Sequence, residues 1–548
     1  MRIKPLSILS AAIFIVPVVH AQQRNADTAL KGSTIEVIQS YKPQVRKAPK
    51  PEWLPQLPPA DTSRPVLTCD VPQQTLYYSY TSGQLRPLAL GRDSMLIPFP
   101  NYIKAGGGNL STLYLDAGIG SIRGRNYDGS LHMHHISQKG SIDKQQTALS
   151  GFEAEGMIRA GKIDWTGKAE VERNQYFFYG TDPLLIPIPA NTDQKQNFLL
   201  ARLSASAVNR SMLSGKIQYY PTINVTSYSG RFNASEIGTN ISSPFYYKLD
   251  STITLKATAA ISLSQMKFVD QKIGSNIASL TPGIVLTSKI YGEAMAGIAL
   301  GKGGKLYILP QVIANYDIPQ TNLRLTGGWH AVLRQNTYEQ LTTENPYLYT
   351  NYTQIFPGTG LRQTRSDEVF ASVSASQGSH LTYTATVSWW NFTNLVTYLG
   401  QYTNPLMFSV IYDDVSAFSL RAGARYTQSS KWSAGISGEF YNYYQGTQKY
   451  AWHQPAVSVR GDFSIKPTKD LSVSVYTNIM GGIYSIDHSG KAVMLKPIAD
   501  IGCYGEYNIL TRLSVFLQGS NLMNNKYERW KGYQSYGLNV YGGLRLKF

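Results

Sequence analysis

The chain has 548 residues and a formal net charge of +17, with 43% hydrophobic but only 16% charged residues. A disordered chain does not hold so much apolar side chain, and a soluble globular domain carries about 25% charged residues. With 38 tyrosines, 47 glycines and, past residue 21, no run of about 18 apolar residues, the composition excludes helical membrane spans and points to apolar residues spread through strands.

Residues 1–21 read as an export signal. Arg2 and Lys4 form a basic start, Leu6 to Val19 an apolar stretch too short to span comfortably, and Val19-His20-Ala21 a small-x-small cleavage site, so the mature chain is expected to begin at Gln22. No cysteine follows the cut, which argues against a lipoprotein. Export also argues against nucleic acid as the partner of the positive charge and leaves an anionic membrane surface or anionic solutes.

Residues 22–100 are polar, then proline-rich from Pro43 to Pro100. Proline donates no hydrogen bond and restricts its predecessor, so this stretch can be neither a helix nor a central strand. It is expected to be extended chain, lying in the periplasm or along a barrel wall. Cys69 lies here, and the only other cysteine is Cys503. The flanking residues place Cys503 on a lipid-facing strand surface, so both are expected to be free thiols.

From Tyr102 onward the pattern has a period of two. Leu113, Leu115, Ala117 and Ile119 alternate with Tyr114 and Asp116. Ile253, Leu255, Ala257, Ala259 and Ile261 alternate with Thr254, Lys256 and Thr258. Phe418, Leu420, Ala422 and Ala424 alternate with Ser419, Arg421 and Arg425. Val457, Val459, Phe463 and Ile465 alternate with Ser458, Arg460, Asp462 and Lys466. Leu471, Val473, Val475 and Ile479 alternate with Ser472, Ser474, Tyr476 and Asn478. The last strand is the clearest, with Tyr536, Leu538, Val540, Leu544, Leu546 and Phe548 on one face and Asn539, Tyr541, Arg545 and Lys547 on the other. Successive strand side chains point to opposite faces, so one face meets lipid and the other a wet lumen. An ordinary sandwich also alternates, but its strands average about 5–6 residues and these run to ten or more.

The predicted fold is all-β: a transmembrane antiparallel β-barrel of about 22 strands over residues 101–548, preceded by the proline-rich N-terminal segment. Long connections are expected at 180–193, 230–248 and 334–365, all on the extracellular side. The strand count puts the third on the opposite end, which implies one strand miscounted between residues 262 and 320.

The inward positions are basic: Lys256, Arg324, Arg421, Arg425, Arg460, Lys466, Arg512, Arg545 and Lys547, offset in part by Asp116, Asp462 and Glu506. Such a lumen favours anionic solutes or grips an acidic segment; the alternative is a wall of cross-strand ion pairs without selectivity. His132 and His134 share a strand face, but no neighbouring carboxylate or thiol is apparent to complete a metal site. Gly106-Gly107-Gly108 reads as a closely packed strand position rather than a phosphate loop. No catalytic constellation and no cofactor motif appears. The 334–365 connection, rich in tyrosine and asparagine, reads as a surface loop that either covers the barrel or offers a platform for sugars or peptides.

The end of the chain, SNLMNNKYERWKGYQSYGLNVYGGLRLKF, resembles the end of TonB-dependent receptors. Asn521-Leu522 and Asn524-Asn525-Lys526-Tyr527 match that family's penultimate turn, and Phe548 matches its aromatic terminus. From Tyr102 onward the chain looks like the plugless receptor-like barrels of Bacteroidetes envelopes, because residues 22–100 show none of the alternation of the family's plug. The resemblance implies an outer-membrane location and recognition of the terminal strand by the barrel assembly machinery. It also implies a role in solute passage or uptake rather than catalysis, with outer-membrane lipid as surroundings. TonB or envelope lipoproteins would be partners, and Thr34–Ile38 is the one candidate TonB-contact segment. The other function considered is a non-transporting scaffold barrel of an envelope complex.

Overall fold

The computed structural model describes residues 101–180, 195–209, 217–288, 290–401, 404–428, 431–487 and 489–548. The expected signal peptide, the proline-rich segment, Thr34–Ile38 and Cys69 lie outside the described residues.

Twenty-two antiparallel strands close on themselves. In chain order β1 to β6 are Asn101–Gly108, Thr112–Arg123, Tyr127–Lys139, Gln146–Ala160, Ile163–Phe177 and Lys195–Asn209. Strand β7 is interrupted, Ile217–Tyr219 and Thr222–Ser229, both parts pairing with β8, Ser235–Lys248. Strands β9 to β13 are Ile253–Lys267, Lys272–Thr287, Ile290–Leu300, Leu306–Asp317 and Leu323–Arg334. Strands β14 to β17 are Thr364–Gln377, Leu381–Gln401, Asn404–Gln428 and Trp432–Gln445. The last five, β18 to β22, are Val457–Ile465, Leu471–Gly481, Ile498–Asn508, Leu513–Ser520 and Asn539–Lys547. Each strand pairs with the next, and β1 pairs with both β2 and β22, so no edge is left to present unpaired amides.

The alternation seen in the sequence is the inside–outside alternation of the wall. On β22, Leu544 and Leu546 are half exposed while Asn539, Tyr541 and Arg545 are buried. On β9, Leu255, Ile261 and Leu263 are exposed on the outward face. Ile253 to Leu263 is ten residue steps, which at about 3.3 Å per step and a tilt of about 40° spans roughly 25 Å, the height of a lipid-facing apolar band. Tyr536 departs from the expected parity: it precedes β22 and is half-buried at the barrel's end, where Thr147 and Tyr179 are its neighbours.

The chain enters β1 and leaves β22 at one end, where the connections are short, such as 124–126, 161–162 and 378–380. The longer connections, 178–194, 335–363, 446–456, 482–497 and 521–538, all lie at the other end, which is the extracellular one by the rule for outer-membrane barrels. One expected long connection is not there. Residues 230–234 form a tight turn and Ser235–Lys248 is a 14-residue strand. Reading that strand as a loop inverts the parity of everything after it, so the miscount lay there and not between 262 and 320.

The closing seam explains the glycine run. A Cβ at Gly106 would stand 2.5 Å from the carbonyl oxygen of Gly542, and one at Gly108 would collide with the backbone at Val540 and Tyr541. Only glycine lets β1 and β22 approach this closely.

Candidate functional site

The 29-residue connection between β13 and β14 turns inward over the barrel mouth. It begins with a capping box: Thr337 Oγ accepts from the Gln340 amide, and the Gln340 side chain accepts from the Thr337 amide. That starts α1, Tyr338–Glu344, whose Tyr338 and Leu341, three apart and hence on one face, are buried. A second turn, α2, covers Tyr352–Ile355.

The wall holds this loop at many points. Tyr228 of β7 and Thr342 share a hydrogen bond of 2.7 Å. Glu236 of β8 accepts from the Glu339 amide at 2.9 Å. Gln335 donates to the carbonyls of Ser262 and Ser275, on β9 and β10, at 2.8 Å each. Lys302, between β11 and β12, donates to the Leu361 carbonyl at 2.9 Å. Asp270, in the β9–β10 turn, accepts from the amides of Tyr352 and Thr353. Arg202 of β6 pairs with Glu339 of the loop and with Glu170 of β5.

From the opposite wall the extended upper part of the β15–β16 hairpin meets the loop. Val396, Thr397 and Tyr398 are buried in succession, as are Phe408, Ser409 and Val410, so both faces of this hairpin are covered. From one face Ser409 donates to the Gln354 carbonyl at 2.7 Å; from the opposite face, shared with Phe408, Tyr398 donates to Glu344 at 2.9 Å. On that same face Trp530 packs edge-on against Tyr398 and Phe408, and His453 donates from Nδ1 to the Tyr398 carbonyl at 2.7 Å. Tyr347 stacks on Tyr533 with 3.5 Å between centroids, joining the loop to the 521–538 connection. The result is one continuous core that includes Phe178, Phe198, Met266, Phe268, Tyr338, Ile355, Tyr412 and Trp530, drawn from both sides of the mouth.

Burial dominates the electrostatics of this cover. It pushes the carboxyls of Glu339 and Glu344 up, against the opposing pull of Arg202 on the first and of Arg334 on the second. It pushes the His453 imidazole down to about 3, with the nearby Arg529 guanidinium acting in the same direction. The tyrosines read as a possible platform are turned inward: Tyr338, Tyr347 and Tyr349 are all buried in the core of the cover.

The expected basic positions are mostly matched by acids. Lys256 pairs with Glu293 at 2.6 Å, Arg324 with Asp317 through two bonds of 2.6 and 3.0 Å, and Arg425 with Asp462 at 2.6 Å. Arg421 pairs with the fully buried Glu368 and donates to Ser388 at 3.0 Å. Arg545 and Lys547 both meet Glu506, at 3.3 and 3.6 Å. Arg460 stands on β18 without an ion-pair partner among the described residues. Lys466 and Arg512 fall in the short turns after β18 and β20 rather than on strands. Sequence parity missed the acids that register brings in, including Glu153, Glu170, Glu172 and Glu236 on the inner face of β4, β5 and β8. The lumen is therefore not uniformly basic.

His132 also has a neighbour that was not anticipated. Asp116 lies opposite His134 in register, and its carboxylate is 3.3 Å from His132 Nε2. No group of three metal-ligating side chains occurs among the described residues. Cys503 is a free thiol on β20.

These features define a class: a 22-stranded outer-membrane-type barrel with an inwardly folded extracellular cover. Solved structures share the fold. The iron transporter FrpB from Neisseria meningitidis is 11% identical, with a TM-score of 0.63 over 82% of this chain and 81% of that one. The ferric enterobactin receptor PfeA from Pseudomonas aeruginosa is 11% identical, with a TM-score of 0.60 over 82% and 80%. The siderophore receptor PirA from Acinetobacter baumannii is 10% identical, with a TM-score of 0.60 over 82% and 80%. No protein-family model matches the sequence, and no curated protein matches it.

Proposed function

We propose that this chain passes a solute across the bacterial outer membrane through a mouth gated by the 335–363 loop and the β15–β16 hairpin. The observation that carries this reading is the inward fold of a long extracellular loop over a barrel of 22 strands. Barrels of that size enclose a lumen wide enough to need a plug or a cover. The neighbours in fold are proteins described as iron and siderophore transporters and receptors, which supports uptake over catalysis. Many of the cover's anchors are single hydrogen bonds between a side chain and a backbone group, each worth about 1 kcal/mol net, so the cover can release stepwise. Energy coupling would come through TonB at Thr34–Ile38, envelope lipoproteins would be further partners, and residues 22–100 would serve as a periplasmic or lumen-filling segment. The terminal strand would serve the barrel assembly machinery.

A scaffold role is the second reading. It is favoured by the apolar core of the cover, which suits a permanent seal. Single-channel recording in a planar bilayer separates the two. The comparison is the full chain, a variant with Tyr338–Leu361 replaced by a short glycine–serine turn, and the same variant lacking Gln22–Pro98. Stepwise conductance in either variant supports a solute path; silence in both refutes it and leaves the scaffold.

A further inference from the structure

The outward wall carries an asymmetry that the lumen and its cover do not use. From β1 to β12 no aspartate or glutamate stands on the lipid-facing side of a described strand. The charges that do stand there are Lys139, Arg173, Lys195, Lys267 and Lys272, all basic, all exposed, and all toward the extracellular ends of their strands. Lys267 and Lys272 face each other directly across the β9–β10 pair. Neither ammonium group has an ion-pair or hydrogen-bond partner among the described residues. The one acid of their turn, Asp270, is engaged by the amides of Tyr352 and Thr353 and by the Thr353 hydroxyl. Like charges directly opposite each other destabilise a strand pair, so this arrangement calls for an anion from outside the chain.

Height identifies the anion. On β9 the apolar outward run ends at Leu263, and Lys267 follows four residues later, roughly 10 Å further along the barrel axis once tilt is included. That places the ammonium groups just above the roughly 25 Å hydrocarbon band, at the level of lipid headgroups. Lys195 above Leu199 and Lys139 above Met133 repeat the arrangement on β6 and β3. We propose that Lys267 and Lys272, flanked by Lys195, Arg173 and Lys139, form a docking strip for phosphorylated headgroups of outer-leaflet lipid. The lysines offer point charges to phosphate oxygens while the leucines and isoleucines below them take the acyl chains.

The test is lipid retention measured by native mass spectrometry on purified, detergent-solubilised full-length protein at low salt. The probes are a bisphosphorylated disaccharide lipid and the same lipid without phosphates. The wild type should retain the phosphorylated lipid preferentially and lose it as salt is raised. The double variant K267Q/K272Q should retain on the order of twentyfold less, since each basic residue at a membrane surface is worth about a fivefold change in affinity. K469Q, at the short-turn end, should behave as the wild type. Because these lysines are exposed, the variant should fold, and its unheated electrophoretic mobility checks this. Equal retention by the wild type and the double variant would overturn the proposal, as would equal retention of the two lipids by the wild type.

Discussion

His453 should work to loosen the cover on mild acidification. Its Nδ1 proton is committed to the Tyr398 carbonyl, its Nε2 has no hydrogen-bond partner among the described residues, and Trp530, Phe408 and Arg529 lie against it. Protonation would place a second cation beside Arg529 in an apolar setting, where charge is costly. The imidazole is held down to about 3, against about 6.5 for a free histidine. A group whose folded value is depressed in this way stabilises the closed form fully above the free value. That stabilisation is lost as pH falls from about 6.5 toward about 3. Between pH 7 and pH 5 the loss from His453 is about 2 kcal/mol, a roughly thirtyfold rise in the opening equilibrium. Glu339 and Glu344 act in the opposite sense, because their raised values make the closed form more stable as the carboxyls take up protons. The readout is therefore the difference between the wild type and His453→Gln, whose amide can still donate to Tyr398 but does not titrate. Amide hydrogen exchange over the β15–β16 hairpin at the two pH values, corrected for intrinsic rates, measures it. If both proteins show the same pH slope, the imidazole is not buried and neutral in the closed cover, and the reasoning fails.

Other outcomes follow from the packing. Tyr347→Ala removes a buried ring stacked on Tyr533 and should destabilise the closed cover by about 3–5 kcal/mol, seen as faster proteolytic nicking within 335–363 while the barrel itself stays intact. Glu368→Gln leaves Arg421 buried without its carboxylate and should cost about 3–5 kcal/mol, whereas Asp462→Asn, whose pair with Arg425 is half exposed, should cost at most about 1 kcal/mol. The temperature at which each variant loses its heat-modifiable gel mobility separates the two. In a conducting variant, Arg460→Glu should shift ion selectivity more than Arg425→Glu, because Asp462 already offsets Arg425; reversal potentials in a salt gradient decide it. Gly108→Val should prevent closure of β1 against β22, and the chain should then fail to reach the folded, protease-resistant form.

The barrel was legible in the sequence because its physics is local. Hydrocarbon outside and water inside force every second side chain to change character, so Leu544, Leu546 and Phe548 against Asn539, Tyr541 and Arg545 fix the faces of a strand without knowledge of its neighbours. The parity of Arg421 and Arg425 was readable for the same reason. Register and long-range closure were not. That Glu368 would sit beneath Arg421, that Asp116 would reach His132, and that Glu170 and Glu339 would share Arg202 depends on which residue of one strand lies opposite which of another. A period of two does not specify that. The cover was the least legible part. Tyr338, Tyr347 and Tyr349 look in sequence like a wet surface loop, and only the tertiary fold turns them against Phe268, Tyr533 and the β15–β16 hairpin, contacts made by segments that are far apart in the chain.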